Sequence, residues 1–129
     1  MGRGMTEAEW TAQVIALARL TGWRVVHFRP ARTARGWRTP VQGDGKGWPD
    51  LILLRGQRLV AAELKTDTGR ATAEQLAWLD AFALVGAEVF LWRPRDVDTV
   101  QRVLSSAQMH VTDVAGPHRP CNVARKEAP

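Results

Sequence analysis

Asp50, Glu63 and Lys65 fall within one segment, GWPDLILLRGQRLVAAELKT at 47–66, at positions that two neighbouring strands would bring together. Two carboxylates supply the hard oxygen ligands that Mg2+ prefers, and a lysine beside them supplies a compact charge or, once its proton is lost, a base. The combination suits hydrolysis of a phosphate ester, in which a bound metal polarises the phosphate and acidifies a water. Lysine is also the rarer choice in this chain: of 18 basic residues only those at 46, 65 and 126 are lysine, and arginine surrenders a proton far less readily. Each residue has a plainer use as well. Asp50 after Pro49 can turn the chain into a strand, and Glu63 and Lys65 can lie on an exposed strand face. The second use fits poorly with the nearly all-apolar run 59–64. Such a run reads as a strand covered on both faces, where a lone carboxylate is costly without a partner or a metal.

A hairpin must position these groups. Residues 51–54 read as an apolar strand, Arg55-Gly56-Gln57-Arg58 as a tight turn and residues 59–64 as the returning strand, which sets Asp50 and Glu63 at the same end. Side chains two apart on a strand share a face, so Glu63 and Lys65 point one way and Leu64 the other. Upstream, Thr6-Glu7-Ala8-Glu9 has the form of a capping box, and Trp10, Val14, Leu17 and Ala18 follow at helical spacing until Gly22 ends the helix. Residues 24–28 predict a strand. Thr72-Ala73-Glu74-Gln75 repeats the capping-box form, and Leu76, Leu79 and Ala83 carry an apolar stripe to a stop near Gly86. Residues 88–92 predict a short strand, and Pro94 introduces a helix over 96–106 with Val97, Val100, Val103 and Leu104 on one side. The order α-β-β-β-α-β-α predicts an α/β domain over 5–107, a mixed sheet flanked by helices. Residues 59–64, the second helix and 88–92 form a βαβ unit whose strands run parallel. Residues 108–129 lack periodicity and are expected to be a flexible tail.

Composition bounds the rest. A chain of 129 residues, 45% of them hydrophobic, is one domain with a core of useful size. No apolar run approaches a membrane span, and the acidic, helix-like N-terminal segment is unlike a signal peptide, so a cytoplasmic protein without a membrane partner is expected. The single cysteine, Cys121, excludes an internal disulfide, and its spacing to His110 and His118 fits no common zinc pattern. A formal charge of +5 and a pI near 10.6 point to a polyanionic partner. Between 29 and 49, Arg29, Arg32, Arg35, Arg38 and Lys46 stand against Asp44 alone, with Trp37 and Trp48 interleaved. Guanidinium groups neutralise phosphates and indoles stack on bases, which makes this stretch a candidate nucleic-acid surface; the plainer reading is a solvated loop. It contains no leucine or isoleucine, so no packed element is expected there.

These features together resemble the VRR-Nuc branch of the PD-(D/E)XK nuclease superfamily over nearly all of residues 5–107. The resemblance rests on Glu9 in the first helix, Gly47-Trp48-Pro49-Asp50, Glu63-Leu64-Lys65, and Gln75 after Gly69-Arg70-Ala71-Thr72. It implies a restriction-endonuclease-like fold and a small bacterial or phage-type DNA endonuclease that uses Mg2+, or Mn2+ in its place, on branched DNA such as Holliday junctions. It further implies that Asp50, Glu63 and the Leu64 carbonyl hold the metal with help from Glu9, that Lys65 serves catalysis and that Gln75 supports the centre. Glu9 and Gln75 each occupy the third position of a capping box, so a purely helix-capping role is open for both. Gln13, one turn after Glu9, is a weaker candidate, Asp44 suits a turn, and His27 reads as structural. Symmetric cutting of two strands needs two centres, which a homodimer supplies; Trp10, Trp23, Trp78 and Trp92 either contribute to its surface or pack the core. A flap, nicking or restriction-type nuclease and a non-catalytic DNA-binding module of the same fold are the alternatives.

Overall fold

The expected hairpin is the middle of a four-stranded mixed sheet with helices on both faces. The computed structural model describes residues 4–28, 31–33, 36–38 and 43–107. Along the chain run α1 (Glu7–Leu20), β1 (Arg24–His27), β2 (Ala31–Thr33), β3 (Gly36–Arg38), β4 (Leu51–Arg55), β5 (Arg58–Leu64), α2 (Ala73–Leu84), β6 (Glu88–Trp92) and α3 (Val97–Ser105). A single 3-10 turn, Pro94–Asp96, leads into α3, so the α-helix begins one residue later than the sequence suggests. Strand order in the main sheet is β1-β4-β5-β6. β1 and β5 flank β4 antiparallel, whereas β6 runs parallel to β5 with Val60 opposite Glu88 and Leu64 opposite Trp92. The connection through α2 makes that parallel pairing possible, because parallel neighbours cannot be joined by a tight turn.

Burial follows the period of each element. On one side of the sheet Leu51, Leu53, Val60, Ala62, Leu64, Phe90 and Trp92 meet Trp10, Val14 and Ala18 of α1 and Val100, Val103 and Leu104 of α3. On the other side Ala61 and Val89 pack under Leu79 and Ala83 of α2. β5 is therefore covered on both faces, which explains its almost uninterrupted apolar sequence. Trp10 and Trp92 are 0% and 2% exposed and Trp23 only 4%. Three of the four tryptophans considered for a dimer surface thus belong to the core, tied in by indole N–H bonds from Trp10 to the Trp92 carbonyl (3.1 Å) and from Trp23 to the Leu104 carbonyl (2.9 Å).

The pole of the sheet formed by the Arg55–Arg58 turn is closed by charge. Arg58 grips the fully buried Glu88 in a two-pronged bond of 2.8 and 2.7 Å, a geometry that only a planar guanidinium supplies. Both arginines lie over the Trp23 ring, at 4.6 and 4.8 Å from its centroid. They donate to the carbonyls of Val103, Leu104 and Ser106, satisfying acceptors that the end of α3 would otherwise leave open.

The basic stretch holds a correction. β2 and β3 form a separate antiparallel hairpin with Arg32 opposite Trp37, adding two strands to the expected order where a loop was expected. Lack of leucine and isoleucine argues against burial, but a two-stranded ribbon needs only its own backbone bonds to close, and this one pairs with no strand of the main sheet. The residues at 108–129, with Cys121, His110 and His118, lie outside the described residues, as do Arg29 and Arg35. Among the described residues no helix is long and apolar enough to cross a membrane.

Candidate active site

At the pole opposite the Arg55–Arg58 turn, the antiparallel register that sets Leu51 across from Ala62 carries on to Asp50 and Glu63, which therefore face each other just beyond β4. Asp50 is fixed from both sides. Its carbonyl accepts from the Phe28 N–H at 3.1 Å, and its Oδ2 accepts from the Leu64 N–H at 2.9 Å. The loop that delivers it is held to α2. Trp48 sits edge-on against Phe28, Trp78 and Phe82 with centroids 5.6, 4.9 and 5.4 Å away, and the Trp78 indole N–H donates to the carbonyls of Asp44 and Lys46 at 3.1 Å each. The Lys46–Glu74 pair at 3.7 Å adds little, being exposed.

Gly47 permits this closeness. It has φ +87°, and a Cβ there would come within 2.6–2.8 Å of the Glu74 and Gln75 backbone and the Glu74 Cβ. Gly47→Ala is accordingly expected to lift the loop from α2, costing about 2–4 kcal/mol from left-handed strain and overlap together. A thermal midpoint unchanged from wild type would refute this account of how Asp50 is placed.

Glu63 is the unusual group. It is 1% exposed, yet among the described residues neither carboxyl oxygen receives a hydrogen bond from an N–H or hydroxyl donor. It pairs with Lys65, whose Nζ lies 3.7 Å from Oε2 and whose side chain is only 14% exposed. Burial first, then the charge of Asp50 and a side-chain hydrogen bond with it, hold the Glu63 carboxyl up at about 9 against the downward pull of Lys65. Two acids and one lysine thus converge as their spacing predicts. Lys65 leaves the sheet directly after β5, with its backbone N–H still bonded to the Trp92 carbonyl at 3.1 Å.

Glu9 and Gln75 are placed differently from that trio. Glu9 closes the α1 capping box, its Oε1 accepting from the Thr6 N–H at 2.9 Å while its own N–H donates to Thr6 Oγ1 at 3.1 Å. Gln75 repeats this on α2, with Oε1 2.8 Å from the Thr72 N and its N–H bonded to Thr72 Oγ1 at 3.1 Å. A further helix residue that feels the centre is Glu7. Partial desolvation and then the charge of Asp50 raise its pKa, while Lys65 and His27 lower it, so Glu7 shares the field of both site residues. Residues two apart on a helix point about 200° from each other, which rules out a common direction for Glu7 and Glu9. Glu7 stands three and seven positions before the buried Trp10 and Val14, and that spacing is the signal in the sequence that marks it. Gln13 is half-buried, and Asp44 serves through its backbone carbonyl.

Of the candidate nucleic-acid contacts, Arg32, Trp37 and Arg38 lie on the β2–β3 hairpin and Lys46 is largely exposed. The chain leaves β1 beside Leu51 and returns through 43–49 to Asp50, so the segment bearing the hairpin springs from the same pole as the carboxylates. Among the described residues no three His, Cys, Asp or Glu side chains gather closely enough to enclose a metal by themselves. Comparison with family models, curated proteins and solved structures finds no match to this chain.

Proposed function

We propose that this protein is a divalent-metal-dependent DNA endonuclease with a restriction-endonuclease-like fold, acting by shape on branched DNA such as a four-way junction. The observation that carries the reading is Glu63, a buried carboxylate with no donor on either oxygen, set opposite Asp50 and beside Lys65. Structural carboxylates in protein interiors are hydrogen-bonded or paired, because an unmet one costs several kcal/mol. Glu63 in that condition, facing an Asp50 fixed through one oxygen only, fits a cation.

The donor set favours a hard one. Asp50, Glu63 and the Leu64 carbonyl offer oxygen alone, as Mg2+ and Mn2+ prefer, and a magnesium ion that keeps several waters needs no third acid from the protein. When bound, the ion supplies charge to the scissile phosphate and acidity to a water. Asp50, fixed through Oδ2 by the Leu64 N–H, keeps its orientation before any ligand arrives. Lys65 orients the attacking water and offsets charge building on the phosphate from a nearly dry position. Glu7, which feels the charges of Asp50 and Lys65, would add negative charge beside the Glu9 that the resemblance names, and Glu9 and Gln75 also close the capping boxes of their helices.

Phosphate contacts through Lys46 and the β2–β3 hairpin suit recognition by shape, since a domain this small carries no separate base-reading module. A homodimer would set two such centres on one junction. The test is cleavage of junction, flap and plain duplex DNA with Mg2+ or Mn2+ by wild type beside Asp50→Ala, Glu63→Ala and Lys65→Ala, with binding measured in parallel. Lost cleavage with retained binding is expected in all three variants, and equal cleavage by all four proteins would overturn the proposal.

A further inference from the structure

We propose that Arg93 is a positioning residue that sets the direction of Lys65 by clamping the turn that follows it; the importance of that direction rests on the nuclease reading above. Lys65 is the last residue held by the sheet, and a long, flexible side chain just beyond a strand end has many rotamers to choose from. Its neighbour removes much of that freedom. Thr66 Oγ1 accepts from the Gly69 N–H at 3.0 Å, folding residues 66–69 back on themselves. The carbonyls of Thr66 and Gly69 then converge on one nitrogen, Arg93 Nη1, at 2.6 Å each.

Arg93 is itself anchored. Its N–H donates to Asp96 Oδ2 at 2.8 Å, and two residues on, the Arg95 N–H meets Asp67 Oδ1 at 3.2 Å, a second tie between the end of β6 and the same turn. The turn so held lies against the lysine. A Cβ on Gly69 would come within ordinary contact, 3.7 Å, of Lys65 Cδ and a tighter 3.1 Å of Thr66 Oγ1, so the Gly69 backbone passes beside the lysine stem. Lys65 accordingly runs between Glu63 on its own strand and the Gly69 backbone. No other cation reaches Glu63 as closely among the described ion pairs. Arg93 touches none of the groups assigned to the chemistry, and its effect passes through the turn.

Arg93→Gln removes the clamp and adds no lysine. The chain has only three lysines, at 46, 65 and 126, so the side-chain methylene and ammonium NMR signals of Lys65 can be assigned by comparison with Lys65→Arg. In the wild type the two Lys65 ε-protons are expected to resolve as an inequivalent pair; in Arg93→Gln they merge. Cleavage turnover falls about tenfold, KM for junction DNA stays within about twofold, and added guanidinium restores part of the loss. Unchanged Lys65 signals in folded Arg93→Gln overturn the proposal whatever the activity. Merged signals in the absence of any cleavage by wild type sustain the clamp and remove the nuclease reading instead. Should Arg93→Gln fail to fold, Thr66→Val removes the Oγ1 acceptor that folds the turn without touching Arg93, and an unmoved Lys65 signal there overturns the proposal equally.

Discussion

Glu63→Gln is expected to lower metal-dependent DNA cleavage by about a thousandfold or more while leaving the metal-free protein as stable as wild type at pH 5 and more stable at pH 9. The substitution keeps the shape of a side chain that is 1% exposed and removes its charge. If Glu63 were an ordinary structural acid, it would hold bonds that glutamine breaks, and the variant would melt earlier at every pH. No donor reaches its oxygens, so glutamine has no such bond to break. What disappears is the cost of an ionised carboxylate beside Asp50, which grows as the pH rises towards the Glu63 pKa of about 9. Cleavage and stability therefore move in opposite directions, a signature of a site kept for chemistry. Thermal melts at both pH values beside single-turnover cleavage assays decide the matter, and a variant that melts earlier at pH 9 would sink the functional reading of Glu63.

The wild-type protein is expected to lose stability as pH rises in metal-free buffer and to regain it with Mg2+. Below the ordinary carboxylate value of 4.5 Glu63 is protonated in folded and unfolded chains alike, and it contributes no penalty. From there to about 9 the unfolded chain gives up the proton that the folded chain keeps, so the folded state binds more protons and stability falls with each step in pH. At about 1.4 kcal/mol per unit of displacement the effect reaches several kcal/mol, levelling off once both states are ionised. Glu7, also raised, adds to the same slope. A divalent ion that binds the folded chain stabilises it by mass action and must displace the shared proton, so its gain is larger at pH 8 than at pH 6. Melting curves with EDTA and with Mg2+ at both pH values test this; a metal-free midpoint that rises from pH 5 to pH 8, or one indifferent to Mg2+, contradicts it.

Much of the main sheet was legible because period, turn and cap agree. Gly56 in a two-residue turn sets the hairpin register, and that register alone carries Asp50 to Glu63. The capping boxes at Thr6 and Thr72 are both present as their sequences suggest. The same motif left Glu9 ambiguous between cap and site. Glu7, three and seven positions before the buried Trp10 and Val14, feels the charge of Asp50, which the capping-box motif does not reveal. The Arg58–Glu88 pair joins residues 30 apart across a parallel register, and no local pattern foretells such a partnership. The tryptophans were likewise undecided, because an indole suits a core and an interface equally until its N–H partner is known. The β2–β3 hairpin is not legible because its sequence carries no apolar alternation.

The clasp of Arg55, Arg58, Glu88 and Trp23 divides labour along the sheet. It lies at the far end of β4 and β5 from Asp50 and Glu63, so the sheet is tied together by side-chain bonds where no chemistry is assigned. An anchored end lets the opposite end tolerate an uncompensated acid without fraying, much as a cantilever carries its load beyond a fixed support. Substitutions should therefore sort by position along the strands, those near Trp23 registering as changed melting and those near Pro49 as changed turnover. Second-site mutations that rescue poorly folding variants of the carboxylate pole are best sought at the clasp, where added rigidity leaves the reactive groups untouched.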